Sequence, residues 1–305
     1  MDASPRLTPA HFTRSVMAVP PLARNAAGGI DAAANARIIR HLEAGGVSLL
    51  LYGGNANLYH LPLEEYDPLL EMLANTAAAT TLVVPSAGPT YGLLLEQARV
   101  VRRHRFQTVM VLPQQGITTS GGVATAVRRF VEAAGVPALV YIKHDGYIDP
   151  ADVATLCRDG LVSAIKYATV RADTSHDPYL RELVGLVDPT LIISGIGEQP
   201  AIEHLRDFGL GGFTTGCGCV APRLSQAFLA AARRGDWQEA ERIRRIFEPL
   251  ENLRNGISPI RVLHEAVAAA GIAATGPLLP MLSPVEERHR PAIAAAARAL
   301  LAANG

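Results

Sequence analysis

The chain has 305 residues, 49% hydrophobic and 18% charged, a globular composition with ample core that excludes a disordered chain. Its 28 basic and 28 acidic residues cancel, so there is no electrostatic footprint for nucleic acid. No apolar run approaches the roughly 18 residues needed to span a bilayer.

Three cysteines, two of them spaced C-x-C at Cys217 and Cys219, are too few for a disulfide framework and point to a reducing compartment. The start MDASPRLTPAHFTRS shows no leader-like apolar stretch, and the expectation is a cytoplasmic protein with neither membrane nor nucleic-acid partners. The basic set holds only two lysines, Lys143 and Lys166, which leaves 26 arginines. A bias in nucleotide composition accounts for that asymmetry as simply as selection does. Lysine, however, can lose its proton when buried and act as a nucleophile, which arginine cannot.

In chain order, short β-rich runs alternate with helical patterns. Arg14–Val19 reads as the first strand, and Asp31 as the N-cap of a helix through Leu42 that stops at Gly45-Gly46. Strands follow at Val47–Tyr52, Thr81–Val84, Thr108–Leu112 and Ala138–Ile142. The helices after them lie near Leu63–Thr76, Thr90–His104, Gly121–Ala134 and Pro150–Arg158. The second half repeats the rhythm with strands Val162–Ile165, Leu191–Ser194 and Gly212–Thr215, and helices His176–Val187, Pro200–Phe208 and Pro222–Arg233.

Runs such as VSLLLY and TVMVL lack polar alternation, as parallel strands covered on both faces do. A doubly wound sheet fits locally. About eight βα units, with no G-x-G-x-x-G opening the first helix, favour a (β/α)8 TIM barrel over residues 1–234. Residues 235–305 read as a C-terminal helical subdomain packed on it, with helices near Asp236–Leu253, Ile260–Ala270 and Val285–Ala303.

Barrel chemistry sits at the C-terminal ends of strands, and both lysines fall there. Tyr141 and Lys143, two apart, share a face if the strand continues that far. Lys166 ends an apolar strand. Desolvation and a nearby cation would lower its pKa, and such an amine attacks ketones to form an imine, with a tyrosine hydroxyl relaying protons. The competing readings are a snorkelling or ion-paired Lys166, or Lys143 as the nucleophile.

These residues resemble a family. SAIKYAT around Lys166 is similar to the strand-six motif of the dihydrodipicolinate synthase and N-acetylneuraminate lyase superfamily, and Tyr141 in ALVYIK to its strand-five tyrosine. Gly53-Gly54-Asn55-Ala56-Asn57 stands at its G-[TG]-[TS]-G-E loop, and MVLPQQ at its V-x-P-x-Y segment. IISGIGE and GGFTTGCGCVAP resemble its strand-seven and strand-eight regions. The resemblance runs from about Thr13 into the C-terminal helices. It implies a barrel with a helical extension, a homo-oligomer (dimer or tetramer), and no cofactor beyond a covalent imine between Lys166 and a 2-oxo acid substrate. It further implies that Tyr141 transfers protons, that Gly54 and Asn55 hold the keto-acid carboxylate, and that Gly195 and Thr214 line the pocket.

The departures matter. Gly54 and Asn55 replace two hydroxyl residues, and Asn57 a glutamate. Gln115 replaces the relay tyrosine near the subunit interface, and the arginine downstream of Tyr141 is missing. This argues against dihydrodipicolinate synthesis itself. The pattern Tyr141-x-Lys143-x-Asp145 is loosely similar to the branch that dehydrates 5-dehydro-4-deoxyglucarate, where Lys143 would meet a distal carboxylate or hydroxyl. A synthase-like condensation, an inactive keto-acid-binding barrel and a metal-dependent lyase are the alternatives; few acidic residues at strand ends weigh against the last. His144, Gly195-x-Gly197-Glu198, the two clustered cysteines, Trp237 and Arg242–Arg245 read more simply as solvated, turn or packing residues.

Overall fold

A computed structural model describes residues 7–305; residues 1–6, part of the stretch read as lacking a leader, lie outside the described residues. The elements run α1 (Pro9–Thr13), β1 (Met17–Ala18), α2 (Ala32–Ala44), β2 (Leu49–Leu51), α3 (Leu63–Thr76), β3 (Leu82–Val84), β4 (Ser86–Ala87), α4 (Tyr91–Val101) and β5 (Val109–Val111). They continue with α5 (Ser120–Ala134), β6 (Ala138–Ile142), α6 (Pro150–Arg158), β7 (Val162–Tyr167), α7 (Pro178–Leu186), β8 (Ile192–Ser194), α8 (Ala201–Asp207), β9 (Gly212–Thr215) and α9 (Pro222–Arg233). Three long helices follow: α10 (Trp237–Gly256), α11 (Pro259–Ala269) and α12 (Arg290–Ala302).

All strand pairs are parallel, in the order β3-β2-β1-β9-β8-β7-β6-β5-β4. The nine strands make eight staves. β3 and β4 are halves of one stave, interrupted at Pro85, which has no N–H to give to the ladder. The first half pairs with β2, and Tyr52 N–H donates to Val84 O at 3.0 Å. The second half pairs with β5, and Met110 N–H donates to Pro85 O at 2.8 Å. The ring therefore closes at the proline.

Strand residues are buried almost without exception, the cause of the unbroken apolar runs. The helices show one buried stripe, as in α5, where Val123, Val127, Phe130 and Ala134 face the staves. Caps set the ends. Asp31 accepts the Ala34 N–H at 2.9 Å to start α2, and Thr119 accepts the Gly122 N–H at 3.3 Å to start α5.

The first strand is shorter than expected: α1 and an irregular turn occupy much of its approach, and only Met17–Ala18 pairs regularly. The last helix begins at Arg290 rather than Val285, preceded by a 3-10 turn at Glu287–His289. α10 packs against α8, α9, α11 and α12, so the C-terminal helices lie against the last βα units. No helix among the described residues is long and apolar enough to cross a membrane.

Candidate active site

β6 and β7 are adjacent, and Tyr141 pairs in register with Lys166. Parallel neighbours in register present their side chains on the same face, so both point into the barrel mouth. β7 extends to Tyr167, one turn of the pleat beyond the expected end, which puts Lys166 inside a strand. Its Nζ lies 4.4 Å from the Tyr141 ring centroid, and both residues are buried. Gly195 on the neighbouring stave makes room for the lysine stem: a Cβ there would sit 3.0 Å from Lys166 Cγ and 2.8 Å from Tyr167 O.

Lys166, Tyr141, Lys143, Gly54, Asn55, Gly195 and Thr214 all line one cavity of about 250 Å³. Every residue singled out for the site is thus brought together. A larger cleft of about 890 Å³ opens beside α4 and α5. Of the described residues no lysine, arginine, acid or histidine lines it, whereas Lys143, Lys166 and Arg254 line the smaller cavity.

Burial, then the charges of Lys143 and Arg254, lower the Lys166 pKa to about 7. Part of its population is therefore the free amine near neutrality. Burial raises the Tyr141 phenol well above its ordinary value, which keeps its proton in place to be donated. Lys143 follows the end of β6. Its residue surface is exposed, but its ammonium leans in 5.7 Å from the Tyr59 ring centroid, and desolvation of that end lowers its pKa.

The β2 loop is pinned from two sides. Asn55 Nδ2 donates to Val19 O at 3.3 Å, and His264 Nε2 lies 3.1 Å from Asn55 O. Burial lowers the His264 pKa to about 4, so it is neutral and donates from Nε2. Within the loop Asn57 adopts a left-handed conformation, φ 58°, and its N–H donates to Gly54 O at 2.8 Å. Its buried amide meets no partner among the described residues at either atom.

Three contributors escape a strand-end search. Arg254, Asn255 and Ser258, from the end of α10 and the cap of α11, also line the cavity. In sequence LENLRNG reads as an ordinary polar helix end. Behind the wall, Glu198 and Glu251 form a buried pair. Glu198 N–H donates to Glu251 Oε1 at 2.9 Å, and Glu198 Oε1 accepts from Ser225 Oγ at 2.8 Å and from Thr215 Oγ1. Desolvation, and for Glu251 the neighbouring carboxylate, raise both pKa values. The Gly195-x-Gly197-Glu198 segment is therefore a clasp onto α10. Arg242, Arg244 and Arg245 pair with Glu239 and Glu241 on the surface of α10, and Cys217 and Cys219 are buried without a disulfide. Among the described residues no group of three or more His, Cys, Asp or Glu side chains is arranged to hold a metal ion.

Fold and site define an α/β barrel with a desolvated lysine at the C-terminal end of its sixth stave. The chain belongs to the dihydrodipicolinate synthetase family, whose model matches residues 12–300, a family of Schiff-base-forming enzymes that process 2-oxo acids. One relative is the Streptomyces coelicolor protein named "probable 5-dehydro-4-deoxyglucarate dehydratase 2", 23% identical over 90% of this chain and 84% of its own. Another is the 4-hydroxy-tetrahydrodipicolinate synthase of Jannaschia sp., 25% identical over 89% and 93%. The dihydrodipicolinate synthase structure from Bacillus clausii superposes with a TM-score of 0.83, at 23% identity, over 94% of this chain and 97% of that one; it shows a shared fold.

Proposed function

We propose that this cavity belongs to a metal-independent lyase in which Lys166 forms an imine with a 2-oxo acid. The observation that carries the reading is the buried Lys166 amine, brought to a pKa of about 7 beside Tyr141 in a cavity open to substrate. The neutral amine adds to the C2 carbonyl. Tyr141 donates to the carbonyl oxygen and the carbinolamine loses water, leaving a protonated imine. That cation draws electrons from the adjacent carbon. Either the C4 hydroxyl gives up its proton, the bond between C3 and C4 breaks and an aldehyde leaves behind an enamine that is reprotonated at C3, or C3 loses a proton and C4 its hydroxyl as water. In both cases water then hydrolyses the imine and frees Lys166.

The backbone N–H groups of Gly54 and Asn55, which bond no backbone acceptor among the described residues, would hold the C1 carboxylate together with the Asn55 amide. Gly195 and Thr214 would shape the walls, and Lys143 would meet the outer end of the substrate. A sugar-derived acid such as 5-dehydro-4-deoxyglucarate is the favoured class, supported by the relative of that name and by the absent strand-five arginine. The synthase-like condensation has the Jannaschia relative in its support. The homo-oligomer belongs to the same proposal: exposed Tyr91 and Ile117 flank the Gln115 segment, where the resemblance places a subunit contact.

Borohydride reduction in the presence of pyruvate or a sugar-derived keto acid tests the reading. An adduct on Lys166 is expected, and Lys166→Arg should abolish both adduct and turnover. Absence of any adduct, or turnover retained in Lys166→Arg, contradicts it. Ligand-induced thermal stabilisation without adduct or turnover would indicate the inactive binding barrel.

A further inference from the structure

Arg254 is 7% exposed, yet no carboxylate lies within ion-pair distance of it among the described residues. Its protein contacts are long: Nε to Pro259 O at 3.4 Å and one terminal nitrogen to Cys217 Sγ at 3.9 Å. Glu198 and Glu251 contribute to the field around it, but neither bonds it: one oxygen of each is held by Thr215, Ser225 or the Glu198 N–H, and the other has no partner among the described residues. Buried guanidinium groups are otherwise paired, usually bidentately with a carboxylate or phosphate. Here the group faces the cavity that it lines together with Lys143 and Lys166, and no Asp or Glu among the described residues lines that cavity.

The seat is built. Gly216 at the end of β9 leaves the space the guanidinium fills: a Cβ there would fall 2.4 to 2.6 Å from its nitrogen and carbon atoms. The place of this seat in the ring decides which acid it takes. β9 and β2 flank β1 on opposite sides. Adjacent strands lie about 4.8 Å apart, so Gly216 and the Gly54–Asn55 loop are separated by roughly 10 Å. One carboxylate, with a hydrogen bond of about 2.9 Å on each oxygen, bridges donors at most roughly 8 Å apart, so one centred on the loop N–H groups leaves the guanidinium to a second acid.

We infer that Arg254 is a specificity residue that receives a second acidic group of the substrate, so that the site selects dicarboxylic over monocarboxylic 2-oxo acids. The inference rests on the reading of this cavity as a 2-oxo-acid site, and it adds a residue from outside the barrel staves. Arg254 acts by binding and takes no part in bond making.

The test uses ligands that cannot form an imine. Calorimetry with the full chain should show glutarate binding at least about tenfold more tightly than pentanoate of the same length. In Arg254→Met that preference should shrink to within about twofold, and in Arg254→Lys, which keeps the charge without the planar fork, it should fall between. Arg254→Lys keeps the question open to decision if the methionine variant does not fold. Equal affinity of the unaltered protein for the two ligands would overturn the inference. So would a preference that survives either substitution intact, or an equal loss for both ligands, which would assign Arg254 to the first carboxylate. Because glutarate has no ketone, selective binding through Arg254 in a protein that borohydride never traps would leave this inference standing and remove the imine mechanism.

Discussion

The two ends of the barrel treat buried polar groups in opposite ways. At the N-terminal end they are closed on one another. Thr108 Oγ1 and Ser163 Oγ lie 2.6 Å apart, one hydroxyl donating to the other and the second to a backbone oxygen, Pro137 O at 2.9 Å from Thr108 or Ala138 O at 3.2 Å from Ser163. Gln226 Nε2 donates to Ser15 Oγ at 3.0 Å, and Ser15 Oγ accepts the Ser48 N–H at 3.1 Å. At the C-terminal end the buried Tyr52 hydroxyl, the Asn57 amide, Thr169 Oγ1, one oxygen each of Glu198 and Glu251, and His264 Nδ1 have no partner among the described residues. Two lysines and a buried arginine share that end's cavity. Unpaired buried polar groups cost stability, and their concentration at one end separates the half of the barrel that holds the fold from the half equipped to meet a polar ligand.

The difference can be broken by substitution. The largest expected effect is on rate: Tyr141→Phe keeps the ring beneath the Lys166 amine and removes only the proton donor. Turnover should fall about 10²- to 10⁴-fold with KM little changed, read by steady-state kinetics.

Next in size is an opposition in stability. Lys166 is lowered from an unfolded value of 10.5 to about 7, so between those values the unfolded state binds more protons. Stability of the unaltered protein should therefore rise as pH climbs from 7 to 10.5. Lys166→Met should be more stable by about 5 kcal/mol below pH 7, a gap that closes towards pH 10.5 in urea unfolding. Thr108→Val at the other end should lose about 1 kcal/mol and keep full turnover. Equal signs for the two substitutions would erase the contrast between the ends.

The smallest effect sharpens the electrostatics of the mouth. Lys143 is one of the charges that lower the Lys166 pKa. Removing a positive neighbour makes protonation easier, so in Lys143→Met the acid limb of the pH–rate profile should move upward from about 7, by up to about one unit. A limb that stays in place would detach Lys143 from the amine.

The staves were legible because burial on both faces writes continuous apolar runs, and Lys166 and Tyr141 stood out against so few lysines and a spacing that puts them in adjacent strands. The split stave was not legible: Thr81–Val84 followed by Pro85 reads as a strand that stops, whereas the chain resumes pairing at Ser86 with the opposite neighbour. Arg254 was hidden for a different reason. Nothing local distinguishes a guanidinium that points to solvent from one seated on Gly216, because the contact joins residues 38 positions apart in different elements. The Glu198–Glu251 clasp joins residues 53 apart in the same way. Periodicity reports which face of an element is buried, not which distant element covers it.

Lys166 as the imine-forming amine is the central claim, and mass mapping of the borohydride-trapped protein tests it most directly. With a 2-oxo acid present, the account predicts a reduced adduct on the peptide carrying Lys166 and none on that carrying Lys143, with trapping that speeds up as pH rises through 7. An adduct on Lys143, or no adduct with any keto acid across that range, would contradict it.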